Sequence, residues 1–151
     1  MSPSPVSTPA SPSPAWLLLF SAWFIALIAT LGALFIGEVL GQAPCELCWY
    51  QRIAMFPLAL ILGIACLSYD FSIYRYALPL AIAGGIVALW HTLLYAGVIS
   101  EAIVPCSADG PSCTGSSMTI MNVIPLPIIS LVSFAAISIL LFILPGKYTD
   151  E

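Results

Sequence analysis

Two cysteines stand three residues apart in the string Pro44-Cys45-Glu46-Leu47-Cys48-Trp49-Tyr50-Gln51-Arg52, and an arginine follows the second by four positions. If this segment opens a helix, residues three and four apart share a face at about 5–6 Å, inside the range a disulfide accepts. Cys45 and Cys48 then close a disulfide without moving the backbone. The positive end of a helix dipole favours a thiolate. Cys45 gains most from the dipole, and Cys48 gains from Arg52, whose guanidinium does not give up its proton. The chemistry expected here is thiol–disulfide exchange beside a built-in cation. A cation inside an apolar run costs up to about 2.5–3.5 kcal/mol at mid-bilayer. Arg52 therefore calls for an anion, whether a thiolate, a reduced ligand, Glu38 or Glu46. The bland alternative is that its side chain snorkels to the headgroups.

A second pair, Cys106 and Cys113, brackets six residues that include the turn formers Asp109, Gly110 and Pro111. Three readings stand side by side. The pair is a structural disulfide bracing a loop, or a second dithiol that passes a disulfide to the first through thiolate attack, or half of a four-thiolate zinc site. The relay is favoured by the redox-type pair on the same face, and no resident metal is expected. His91 sits inside an apolar run about nine residues from its end, roughly 13 Å deep at 1.5 Å per residue. An ionisable residue at that depth is a functional candidate as a hydrogen-bond donor or proton relay. The competing reading is a buried histidine satisfied by a carbonyl. Cys66 reads as a small apolar core residue. Trp49, Tyr50, Trp90 and Tyr95 read as interface anchors.

The elements that must position these groups are membrane spans. The chain has 151 residues, 61% hydrophobic and 7% charged, with three Lys/Arg and seven Asp/Glu. Soluble domains carry about 25% charge, so no water-facing surface can be built, and the missing basic residues exclude a nucleic-acid footprint. Residues 1–14 are a Ser/Pro-rich tail, expected to be disordered or polyproline-like and without the positive charge of a signal peptide. Four apolar runs follow, Ala15–Gly37, Trp49–Tyr69, Tyr76–Ser100 and Val123–Leu144. Each suffices to cross a bilayer. Pro57 is expected to kink the second run and Pro145 to end the fourth. Ala81 and Gly85 form a small-residue face for close helix contact. The fold expected is an all-α membrane protein, a four-helix transmembrane bundle running up-down-up-down. Residues 15–147 form one domain and residues 148–151 a short tail. Both termini fall on one side and both cysteine pairs on the other. Arg75 and Lys147 against Arg52 place the termini in the cytoplasm by the positive-inside rule, and exposed cysteine pairs suit an oxidising compartment.

The Cys45-Glu46-Leu47-Cys48-Trp49-Tyr50-Gln51-Arg52 string resembles the signature of the disulfide bond formation protein B (DsbB) family, particularly its short BdbC-like branch. Trp90-His91, the second cysteine pair before the fourth span and Pro125–Pro127 at its start are similar too. The resemblance covers the chain from about Trp16 to Leu144. It implies a quinone-linked thiol oxidoreductase of the bacterial cytoplasmic (inner) membrane, with termini cytoplasmic and cysteine loops periplasmic or extracellular. Such a protein reoxidises a soluble thioredoxin-fold thiol oxidase (DsbA-like) and passes electrons to ubiquinone or menaquinone. The resemblance further implies that Cys106 forms the mixed disulfide with the partner and Cys113 exchanges with Cys45. Cys48 then faces the quinone as a thiolate, with Arg52 beside it and His91 across from it. The loop between Cys106 and Cys113 is shorter than in the long members of the family. Two rivals stand beside this reading. One is a vitamin K epoxide reductase-like oxidoreductase, in which the order of the cysteine pairs is reversed. The other is a non-catalytic membrane subunit whose disulfides are structural.

Overall fold

The computed structural model describes residues 13–99, 119–120 and 124–149. Helix α1 (Pro14–Leu34) starts where Ser13 accepts the Trp16 N–H on its hydroxyl oxygen at 3.2 Å. Proline at the first helical position gives up only an N–H that has no partner there anyway. The helix does not end at Leu34. It widens into a π-helical turn (Phe35–Val39), in which the Leu40 N–H reaches back five residues to the Phe35 carbonyl at 3.1 Å. Gly41 then takes a left-handed φ of 67° and turns the chain toward the cysteine string.

Helix α2 (Glu46–Ser68) begins three residues before the run expected at Trp49, because Cys45 caps it. The Cys45 sulfur accepts the Cys48 N–H at 3.3 Å, the role usually played by Ser, Thr, Asp or Asn. The helix continues through Pro57 and stops at Tyr69, which holds the left-handed φ of 54°. Asp70 then caps a short 3₁₀ turn (Phe71–Ile73) by accepting the Ser72 N–H and hydroxyl at 3.0 and 2.6 Å. Helix α3 (Tyr74–Tyr95) carries Pro79 near its start and is followed by Gly97 at φ 74°. Two-residue strands β1 (Thr119–Ile120) and β2 (Ile124–Pro125) pair antiparallel just before α4 (Leu126–Thr149). This small clasp is the one strand pairing among the described residues. Pro145, expected to end the fourth span, lies inside α4 instead. Transmembrane helices tolerate such a proline because neighbours and local adjustments re-satisfy the freed carbonyl.

Among the described residues, four helical segments are long and apolar enough to cross a membrane, of 26, 23, 25 and 20 residues. They pack as a closed ring, α1 on α2, α2 on α3, α3 on α4 and α4 on α1. That order is the up-down-up-down bundle expected from the sequence. Leu19, Leu58, Leu62, Phe134, Ile137 and Leu141 fill the interior, interleaved with Ala22, Ala26, Ala77, Ala81 and Ala88. Lipid is as apolar as leucine, so this assembly is held by van der Waals fit more than by water exclusion. Large apolar side chains such as Leu67 and Phe142 point outward, 85% and 74% exposed, as a lipid-facing surface allows. The closest helix approach falls at Gly84 rather than at the Gly85 of the expected small-residue face. A Cβ at Gly84 would overlap the Phe134 ring and meet the Ala54 Cβ at 2.9 Å, whereas one at Gly85 would find Phe134 at 3.5 Å, an ordinary contact. At the other end of α3 the Thr92 hydroxyl is shared between the Ala88 and Pro127 carbonyls at 2.8 and 3.2 Å, tying α3 to the start of α4.

Candidate functional site

The start of α2 sets three functional positions by helical spacing alone. Cys45 is the cap, Cys48 lies in the first turn, and Gln51 and Arg52 lie one turn further on the Cys48 side. Helix α3 adds His91 within its last two turns. The two sulfurs stand 2.8 Å apart, so a movement of less than 1 Å separates them from a disulfide bond of about 2.05 Å.

His91 is clamped between two groups. Its Nε2 lies 3.9 Å from the Cys45 sulfur and its Nδ1 lies 3.0 Å from Gln51 Nε2. With the amide N–H donating to Nδ1, the ring carries its proton on Nε2, facing the sulfur. Both His91 and Gln51 are buried, as is Cys45. The hydrogen bond from the Cys48 thiol holds the Cys45 thiol well below its ordinary value of 9.0, at about 5. Burial works against this, and His91 adds to it. The downward shift favours the thiolate form of Cys45 in the reduced pair.

Arg52 takes a different course from a simple sulfur contact. Its Nη2 donates to the Ala33 carbonyl of α1 at 2.9 Å, and its guanidinium lies over the Trp49 ring, 5.5 Å from the centroid. From there it joins Cys48 and His91 in the wall of a cavity of about 380 Å³. Ile25 and Ile28 of α1, Ile36 of the π-helical turn, Met55 of α2, and Pro127, Ser130 and Phe134 of α4 supply the rest of the lining that matters here. An apolar chamber with a few convergent polar groups is the usual form of a small-molecule site. Its polar lining groups are Gln51, Arg52, His91, Ser130 and Ser133, and the remaining walls are apolar.

Cys45, Cys48 and His91 also bring three metal-ligating atoms within 4.8 Å of one another. Two thiolates sharing a tetrahedral zinc ion stand about 3.7 Å apart, given Zn–S bonds of about 2.3 Å. The sulfurs here are closer than that, at 2.8 Å. The spacing favours forming an S–S bond over holding an ion.

Four of the six residues singled out from the sequence thus meet at one place. Cys45, Cys48 and His91 touch, and Arg52 shares their cavity. Cys106 and Cys113 lie outside the described residues. His91 reaches the Cys45 sulfur and also lines the cavity together with Cys48. Cys66 is buried far down α2 and takes no part in the site, though its carbonyl accepts the Trp16 Nε1–H at 3.4 Å. Gln51 escaped the sequence reading. Its signal was there, an amide three residues after Cys48 in an otherwise apolar run, where a buried polar group needs a partner. The seat of Arg52 on α1 had no such signal.

The family model described as "Disulfide bond formation protein DsbB" matches residues 12–144. A "Probable disulfide formation protein" of Metapseudomonas resinovorans is 57% identical over 134 residues, covering 89% of this chain and 93% of its own. The "Disulfide bond formation protein C" of Bacillus subtilis is 39% identical over 134 residues, covering 89% of this chain and 96% of its own. A "Probable disulfide formation protein" of Deinococcus radiodurans is 39% identical over 130 residues, covering 82% and 85%. No solved structure matches.

Proposed function

Because this chain belongs to the DsbB family of disulfide bond formation proteins, a family of membrane thiol oxidoreductases, we propose that it reoxidises a soluble thioredoxin-fold thiol oxidase and hands the electrons to a membrane quinone. The observation that carries this reading is the opening of a near-bonded cysteine pair onto an apolar cavity whose polar wall is Arg52 and His91. Ubiquinone or menaquinone would be held by the apolar residues of this cavity, with Arg52 and His91 in its wall. When bound, the quinone supplies a two-electron, two-proton acceptor.

The protein's own residues do the rest. The partner's dithiol reduces a Cys106–Cys113 disulfide through a mixed disulfide at Cys106. The Cys113 thiolate then attacks the Cys45 sulfur, and the Cys45–Cys48 bond breaks with its electron pair on Cys48. The Cys106 thiolate then attacks the Cys113 sulfur and Cys45 leaves as the thiolate, which restores the loop disulfide and leaves Cys45 and Cys48 reduced. Two electrons have moved from loop to cap, and the dithiol now stands at the cavity. His91 holds a proton at Nε2 beside Cys45, and Gln51 keeps the ring turned that way. Arg52 lowers the energy of negative charge developing on the cavity side. Reoxidation forms the Cys45–Cys48 bond again and releases two protons and two electrons to the acceptor. We place the termini in the cytoplasm of a bacterial cell and the cysteine ends of the helices on the outer face of its inner membrane. Arg75 and Lys147 lie at the terminus end of the bundle, in the direction the positive-inside rule requires.

Purified protein with a short-chain ubiquinone or menaquinone should oxidise a reduced thioredoxin-fold oxidase, with one quinone reduced per disulfide made. Cys48→Ser should abolish quinone reduction. Full turnover by that variant would overturn the assignment.

A further inference from the structure

The guanidinium of Arg52 is held by α1, not by its own helix. Nη2 donates to the Ala33 carbonyl, and a Cβ built on Gly37 would lie 3.1 Å from Nη2, 3.3 Å from Nη1 and 3.7 Å from Cζ. Ala33 and Gly37 are four residues apart on one helical face. Together they form a shallow seat, one residue supplying the acceptor and the other supplying the space. The seat lies where α1 widens into its π-helical turn at Phe35–Val39. Insertions of this kind re-aim the backbone locally and are frequent at functional sites. The Trp49 ring packs on the same guanidinium. A carbonyl and an aromatic ring hold the cation in place, and neither is an anion, so its charge stays available to the cavity that Ala33, Ile36 and Arg52 line in common.

We propose that Gly37 is a positioning residue for the redox reaction: its missing side chain lets the Arg52 guanidinium dock on α1 and so fixes a permanent positive charge in the cavity wall where the quinone binds. The inference rests on the quinone reading given above. An alanine Cβ at position 37 would press on both Nη atoms and shift the head group by a few tenths of an ångström, and a valine would displace it further. The long arginine side chain yields easily, so the fold absorbs the change while the charge moves. Alanine and valine both have better helix propensity than glycine, so neither variant should weaken α1 by propensity.

The test uses the full chain in detergent, with dithiothreitol as electron donor and a short-chain ubiquinone or menaquinone as acceptor. KM for the quinone, kcat and thermal unfolding are measured for Gly37→Ala, Gly37→Val, Arg52→Lys and the Gly37→Val/Arg52→Lys pair. The expected result is a graded rise in quinone KM, a few-fold for alanine and about tenfold for valine, with a smaller change in kcat and no fall in the unfolding temperature. In the Arg52→Lys background, Gly37→Val should add less than about twofold, because residues acting through one contact are not additive. Gly37→Ser replaces the valine variant if that protein does not assemble. If Arg52→Lys raises KM but the Gly37 variants do not, or if the two effects multiply in the double variant, the positioning role is overturned while the quinone reading stands. If Arg52→Lys leaves KM unchanged, the quinone reading of Arg52 fails and the Gly37 role falls with it.

Discussion

His91 is the residue on which the local chemistry turns, because it touches the sulfur through one nitrogen and Gln51 through the other. A histidine held this way has its tautomer set by its second partner. Gln51→Leu removes that partner while keeping the volume, and the ring is then free to place its proton on either nitrogen. Reoxidation of the reduced pair should slow by about tenfold in Gln51→Leu and by about a hundredfold in His91→Ala, the range expected for an orienting group and for a proton-transferring one. Stopped-flow quinone reduction separates the two. The charge on Cys45 gives a second prediction. Its thiol is lowered from 9.0 to about 5 by the Cys48 hydrogen bond. The thiolate should therefore persist from neutral pH down to about pH 5 and be lost below it. A depressed acid stabilises the folded, reduced protein above its unfolded value, and that contribution disappears as pH falls through the folded one. Alkylation of the reduced protein by iodoacetamide, resolved at Cys45 by mass spectrometry, should give a rate profile with its midpoint near the lowered value. A midpoint at the ordinary thiol value would contradict it. The pair of cysteines and the arginine were legible in the sequence because spacing alone puts them on one helical face. The Gln51–His91 bond was not, since it joins residues on different helices and no local pattern encodes which faces meet.

The helices themselves were readable almost to their ends, because each is a long, mostly apolar run. Their boundaries were less so, and for particular reasons. The start of α2 depends on a sulfur acting as the cap, a role that cysteine composition does not advertise. The π-helical turn after α1 comes from a one-residue change in hydrogen-bond register, which no residue pattern around Phe35–Val39 announces. Proline at position 145 marks the end of a helix in water but not in lipid. The small-residue face was foreseen one position too late, because Ala81 and Gly85 follow the four-residue spacing while the buried stripe of α3 runs through Ala81, Gly84 and Ala88. That difference is testable. Gly84→Ala introduces a Cβ into the Phe134 ring and should destabilise the bundle by about 1–3 kcal/mol, the usual range for overpacking. Gly85→Ala, with room at 3.5 Å, should be neutral or slightly stabilising through helix propensity. Unfolding in sodium dodecyl sulfate, read by circular dichroism, measures both. Equal losses at the two positions would mean that the helix contact is not at Gly84.

At the scale of the molecule, the bundle separates two kinds of chemistry along one axis. In the proposed mechanism, thiol exchange with a protein partner belongs to the connection that carries Cys106 and Cys113, and electron delivery to a small apolar acceptor belongs to the cavity. Cys45 and Cys48 stand between, one sulfur beside His91 and the other on the cavity wall. If this division holds, the cavity half of the reaction contains everything it needs without the loop pair. The helix ends supply the thiols, Gln51 and His91 hold the proton, and the seat on α1 holds the charge. The Cys106→Ser/Cys113→Ser double variant should therefore keep quinone reduction driven by dithiothreitol within about threefold of the parent, since distant groups with no shared partner act independently. The same variant should lose at least about a hundredfold in oxidation of a reduced thioredoxin-fold partner, because the buried Cys45 sulfur offers no open route for a folded protein to attack. Both rates can be read in one cuvette by changing only the reductant. Loss of both activities would mean that the loop cysteines also shape the cavity, and retention of both would mean that the partner reaches Cys45 directly. Only loss of the second with survival of the first fits a relay in which a protein disulfide is made at one end of α2 and its electrons leave through the side of the bundle.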